Sequence, residues 1–98
     1  MEVKFKDKDL DRLESDASFS GGRADPVVSA FRKRMQMIRS APDERVFYAL
    51  KYLHFEKLKS TGGDQYSMRL NDQWRLIVEF EGKGQDKIVV IVGITDYH

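Results

Sequence analysis

Residues 64–80 read DQYSMRLNDQWRLIVEF, and the alternation within them decides the fold. Tyr66, Met68 and Leu70 alternate with Ser67, Arg69 and Asn71. Beyond the polar Asn71-Asp72-Gln73, Trp74, Leu76, Val78 and Phe80 alternate with Arg75, Ile77 and Glu79. Side chains on a strand point to opposite faces in turn, so strict alternation marks a strand with one buried face. Asn and Asp tolerate turn conformations, which places the reversal at Asn71-Asp72-Gln73. The stretch therefore predicts a β-hairpin.

The pattern also sets the register. Cross-strand partners share a face, and a slip of one residue mixes apolar with charged side chains on both faces. Pairing Leu70 with Trp74, Met68 with Leu76 and Tyr66 with Val78 keeps one face apolar. It also sets Arg69 directly opposite Arg75, where like charges repel. Such a pair either holds an anion or splays harmlessly into water, and the hairpin alone leaves both readings open.

Working outward, Lys87 to Thr95 is nearly continuously apolar. It is expected to be a central strand buried on both faces. The polar turn Glu81 to Asp86 precedes it. Upstream, Val3 to Lys6 reads as a short edge strand. Asp7 caps a helix whose apolar side is Leu10, Leu13 and Ala17. Ser18 to Gly22 ends that helix. Asp25-Pro26 opens a second one, with Asp as cap and Pro in the first turn. Val27, Phe31, Met35 and Ile38 form its apolar stripe, and Arg32, Lys33, Gln36 and Arg39 lie away from it. Ala41-Pro42 closes it. Asp43 to Lys51 suits either a short helix or a strand. Tyr52 to Leu58 alternates and is expected to be a strand, followed by Lys59 and the loop Ser60-Thr61-Gly62-Gly63. The expectation is an α+β fold, with two N-terminal helices packed on a mostly antiparallel sheet of three to four strands.

Composition bounds the function. Ninety-eight residues suggest one domain over 1–98. Cysteine is absent, so disulfides and thiolate metal sites are excluded. No apolar run is long enough to cross a membrane, and the charged start MEVKFKDKDLDRLES is no signal peptide. A cytoplasmic protein is the default. The net charge of +1 is too small for a protein that holds nucleic acid by charge alone. Charge is concentrated locally instead. Between Gly22 and Ser40, five basic residues (Arg23, Arg32, Lys33, Arg34, Arg39) face one acid, Asp25. A polyanion would meet that surface; the blander alternative is a solvated helix face.

The sequence ends Thr95-Asp96-Tyr97-His98, directly after the apolar strand. His98 suits proton transfer near neutral pH, Asp96 can accept from it, and Tyr97 can donate or stack on a base. The blander reading is a frayed polar terminus. His54 and His98 with scattered acids form no spaced metal-ligand motif. Gly62-Gly63 lacks the lysine of a phosphate-binding loop, and no serine sits in a nucleophile elbow.

Leu58-Lys59, the run Gln65 to Leu76 and the terminal Asp96-Tyr97-His98 together resemble the HigB (plasmid-maintenance killer) toxins of the RelE superfamily. The resemblance covers about residues 53 to 98. It implies a toxin of a type II toxin–antitoxin pair, whose relatives enter the ribosomal A site and cut mRNA. It implies catalytic roles for Lys59, Arg75, Asp96, Tyr97 and His98, and RNA binding by Lys57, Lys59, Arg69 and Arg75. Some relatives carry a histidine two residues before the leucine of Leu-Lys. Glu56 stands there in this chain, and His54 lies two residues earlier. The acid–base role then falls to Glu56 or His98, with His54 a lesser candidate. The implied partners are a HigA-like helix-turn-helix antitoxin, the ribosome and mRNA, with no membrane, metal or other cofactor.

The chemistry is coherent without the resemblance. Metal-free RNA cleavage needs the 2′-OH deprotonated, the phosphorane charge stabilised and the leaving 5′-oxygen protonated. Lys59, Arg69 and Arg75 supply a cationic cradle; His98 and Asp96 supply proton transfer. Two alternatives stand beside this one. The ParE branch shares the fold and binds DNA gyrase without cleaving anything. An inactivated relative would bind only an antitoxin. An acid–base group such as His98 favours the nuclease.

Overall fold

The computed structural model describes residues 1–59 and 64–96, with only the backbone of Gln85. The hairpin forms in the expected register. Strand β3 (Tyr66–Arg69) and strand β4 (Trp74–Glu81) pair Tyr66 with Val78, Met68 with Leu76 and Arg69 with Arg75. The Leu70 amide donates to the Trp74 carbonyl at 2.9 Å, just past the last pair. Asn71 makes the reversal: its side-chain oxygen accepts from the Gln73 amide at 3.0 Å and the Trp74 amide at 2.9 Å.

Strand β5 (Ile88–Asp96) runs antiparallel to β4, from the pair Glu81–Ile88 to the pair Trp74–Asp96, with an irregularity between Ile77 and Val78. Strand β1 (Glu2–Phe5) lies at the sheet edge as expected, parallel to β5, with Val3 beside Val89 and Phe5 beside Ile91. Strand β2 (Glu56–Lys57) closes the other edge. The order is β1-β5-β4-β3-β2, a mixed sheet of five strands, one more than the sequence suggested. The middle strand is β4. Strand β5 is interior but not central, and it is fully buried only over Val89–Ile91. Alternation identifies a strand, but a long-range parallel partner leaves no local mark.

Helix α1 (Lys8–Ser15) is capped by Asp7, whose carboxylate accepts from the Asp9 and Leu10 amides at 2.9 and 3.3 Å. Leu10 and Leu13 are buried. Ala17 is exposed and lies outside the helix, because Asp16 turns extended and binds the Ser18 amide and hydroxyl with its own carboxylate. Gly21 and Gly22 then take φ of 62° and 78°, a reversal that other residues enter only under strain. Helix α2 (Asp25–Ser40) buries Val27, Phe31, Met35 and Ile38 as expected. Its cap is Ala24 rather than Asp25. Asp25 occupies the first turn, makes no side-chain cap bond, and acts there as a favourable charge at a helix N-terminus. At the other end, the Met1 amino group donates to the carbonyls of Ile38, Arg39 and Ala41.

The ambiguous segment is helical. Helix α3 (Arg45–Ala49) leads into a 3-10 turn, Lys51–Leu53. The strand expected over Tyr52 to Leu58 shrinks to Glu56–Lys57. His54 breaks it by taking a left-handed backbone, φ 46° and ψ 47°. Packing drives the break. Phe47 and Leu53 are fully buried, and Phe55 stacks on Tyr66 with ring centroids 5.3 Å apart. Phe55 also packs against Phe47, with ring centroids 5.4 Å apart.

The helices cover the Met68, Leu70, Leu76 and Val78 face of the sheet, where these residues join Phe31 and Ile38 in the main core. The other face carries Ser67, Arg69, Arg75 and Glu79. Among the described residues, no helix is long and apolar enough to cross a membrane.

Candidate functional site

Arg69 and Arg75 pair across the hairpin but their guanidinium groups diverge, and a cleft of about 280 Å³ opens beside them. His54, Arg69, Asn71, Asp72 and Arg75 line it. The repulsion expected from the pairing is relieved by separate partners. Arg69 folds toward the turn, with Nε donating to the Asn71 carbonyl at 3.3 Å and Nη2 donating to the Asp72 carboxylate. Arg75 reaches across β3 in the opposite direction. Its Nε donates to the Ser67 hydroxyl at 2.9 Å, and its Nη2 donates to the backbone carbonyl of His54. Glu56 Oε1 lies 3.9 Å from the same nitrogen.

The two arginines therefore differ in kind. Arg75 is only 7% exposed. Its hydrogen bonds hold the left-handed His54 against β3, so it acts as a brace for the cleft wall. Arg69 is more exposed and is bound to an exposed carboxylate. A competing anion displaces an exposed ion-pair partner at little cost, since such pairs are worth about 0–1 kcal/mol. Of the two arginines lining the cleft, Arg69 is the one with the more readily displaced partner.

The 3-10 turn brings His54 to the cleft. Non-glycine residues with positive φ are uncommon, and a histidine held there by a buried arginine is a local strain supported by its surroundings. Glu56 is exposed and pairs with Ser67, on the same face as Arg75. Lys57 pairs with Tyr66 and so belongs to the helix-covered face, apart from the arginines. Lys59 is exposed beyond the edge strand. Asp96 pairs with Trp74, on the opposite face from Arg75, whose partner is Thr95. The Gln73 side chain donates to the Asp96 carboxylate at 3.3 Å, tying the end of β5 to the hairpin turn. Tyr97 and His98 lie outside the described residues, as does the loop 60–63. The described residues contain no group of three or more His, Cys, Asp or Glu placed to hold a metal ion.

Sequence reasoning read Asn71 and Asp72 only as a turn and gave Ser67 no role. The signal for Ser67 was its position on the charged face, flanking the arginines. The basic helix face is also changed by the structure. Arg32 donates to the carbonyls of Leu13, Asp16 and Phe19, and Arg39 forms a two-bonded pair with Glu14 at 2.6 and 2.7 Å. These two arginines fasten α1 to α2, which leaves Lys33 exposed for any partner.

Two solved structures share this architecture. One is described as a YoeB/ParE toxin from Agrobacterium tumefaciens (TM-score 0.59, 13% identity, all of both chains covered). The other is the YoeB dimer from Staphylococcus aureus (TM-score 0.53, 18% identity, all of this chain and 97% of that one). At such identities the likeness concerns the fold. No curated protein matches the sequence. A family model described as the RelE-like toxin of type II toxin–antitoxin system HigB matches residues 3–98. The match extends the resemblance of the C-terminal half to the helical half as well. The chain belongs to the HigB-like family of RelE-like toxins of type II toxin–antitoxin systems.

Proposed function

We propose that this toxin is a ribosome-dependent endoribonuclease that cuts translated mRNA without a metal ion, working as a single domain in the cytoplasm. The observation that carries the reading is the cleft at the hairpin tip, where the displaceable cation of Arg69 faces the strained His54. Arg69 takes the scissile phosphate and stabilises its charge as the phosphorane forms. Arg75 holds the cleft wall from behind. Lys59 adds a second cation at the exposed edge, and Lys57 reaches RNA only beyond the cleft.

Proton transfer falls to the acid–base groups around the cleft. His54 and Glu56 flank Arg75 and compete for the role of general base on the 2′-OH. The resemblance to HigB toxins supplies His98 as general acid for the leaving 5′-oxygen and Tyr97 to orient the substrate, while Asp96, on the face opposite Arg75, ties the end of β5 to the hairpin turn. Family membership implies a cognate antitoxin; a HigA-like helix-turn-helix protein is the proposed form.

The test is purified protein added to translating ribosomes, with new mRNA 5′ ends mapped by primer extension. Cleavage within codons is expected, at least tenfold slower for Arg69→Ala, and lost for His98→Ala with ribosome binding intact. Growth arrest without new 5′ ends, accompanied by inhibition of gyrase supercoiling, would replace this reading with the ParE-like one.

A further inference from the structure

Among the described residues, Arg34 is a charged residue whose placement the fold leaves unexplained. It falls on the apolar stripe of α2, three residues after Phe31 and four before Ile38, both fully buried. Its Nε is buried and has no hydrogen-bond partner among the described residues. One terminal nitrogen reaches the Leu70 carbonyl at 3.5 Å, the outer limit of a hydrogen bond. Burial pulls its pKa down, opposed by the neighbouring Tyr52 hydroxyl. A guanidinium carries five donors, and leaving one of them, the buried Nε–H, unmatched is costly.

The guanidinium carbon lies 5.3 Å from the centre of the Tyr52 ring, in cation–π contact. Tyr52 is 54% exposed, one of two large hydrophobic side chains so open among the described residues. The other, Tyr48, is 56% exposed and packs edge-on to Phe55. Tyr52 thus presents an aromatic surface backed by a positive charge. Along the chain, Lys51 precedes it and no acid occurs between Arg45 and Phe55.

The pair adjoins the cleft through both chain segments that build it. Tyr52 sits in the 3-10 turn that delivers His54, two residues on. Leu70, touched by Arg34, directly precedes Asn71 and Asp72. We infer that Tyr52 and Arg34 form a second nucleotide subsite, in which a base flanking the cleft stacks on the tyrosine ring while a phosphate or base carbonyl oxygen accepts from the arginine. This rests on the nucleic-acid reading of the cleft and extends it by one nucleotide position. An exposed ring over a cation is a sequence-tolerant stacking platform, and a single strand supplies both the base and the anion. An acidic peptide would satisfy Arg34 but gains less from the ring.

Equilibrium binding of a fluorescein-labelled, unpaired twelve-residue RNA, read by anisotropy, tests the subsite separately from cleavage. Tyr52→Ala should weaken binding about tenfold, Tyr52→Phe less than about twofold, and Tyr48→Ala should leave it unchanged. Arg34→Gln should weaken binding and lower the salt dependence by about one phosphate contact. Thermal melts of the same variants identify any loss due to unfolding; Tyr52, being exposed, is the variant least open to that objection. Wild-type affinity in Tyr52→Ala, or an equal loss in Tyr48→Ala, overturns the subsite. So does a wild-type protein that binds no RNA, which also removes the nucleic-acid reading. RNA binding that depends on Tyr52 in a protein that cuts no mRNA keeps the subsite and overturns the nuclease.

Discussion

The two faces of the β3–β4 hairpin are held by different physics. On one face, Met68, Leu76 and Val78 are fully buried against the helices. On the other, Ser67 and Arg75 are nearly as buried, but with hydrogen bonds instead of apolar contacts. The first face gains stability from area removed from water and tolerates similar shapes. The second depends on directional bonds from one guanidinium, and leaving a buried partner unmatched costs more than the bond contributes. One strand pair thus carries a face held by apolar packing and a face held by directional bonds.

The largest expected effect lies on the apolar face. Met68→Ala should lower unfolding free energy by about 2–5 kcal/mol through the cavity it leaves, read by denaturant titration. Arg75→Ala comes next. It strips partners from Ser67 and from the His54 carbonyl, so a loss of about 1–3 kcal/mol is expected. This reverses the expectation from like-charge pairing alone, under which removing Arg75 would stabilise the free protein. Arg75→Lys should recover part of the stability, and a stability equal to wild type in Arg75→Ala would erase the distinction between the faces. Arg69→Ala is the smallest, within about 0.5 kcal/mol, because its partner is an exposed carboxylate. If Arg69→Ala destabilises as much as Arg75→Ala, the two arginines share one role and the assignment of ligand and brace fails.

The hairpin register was legible because alternation on two strands admits few pairings, and the opposition of Arg69 to Arg75 followed from it. What the arginines do with their charges was not legible. Pairing fixes where the side chains leave the backbone; their partners, Asp72 for one and the His54 carbonyl for the other, depend on the turn and on a distant segment. The stretch from Tyr52 to Leu58 misled for a related reason. Leu53 and Phe55 have the spacing of a strand, yet a 3-10 turn and a left-handed His54 stand between helix α3 and β2, where Phe55 packs on Phe47 at 5.4 Å between rings. Arg34 counted in the sequence only as one of five basic residues; its place on the apolar stripe of α2, a conflict between local pattern and burial, emerges from the fold.

The parallel pairing of β1 with β5 sets the order of events when this toxin is made. Glu2 to Phe5 leaves the ribosome first, and its partners Ile88 to Ile91 leave near the end. The strand between, β4, also finds its second neighbour only in β5. Contacts spanning most of the chain must wait for loop closure, which slows folding relative to a helical protein of this size. During synthesis the hairpin and helices can form, but the sheet edge beside β4 stays unpaired. The nascent sheet therefore stays open at β4 until β5 has been made, and β1 waits for the same strand.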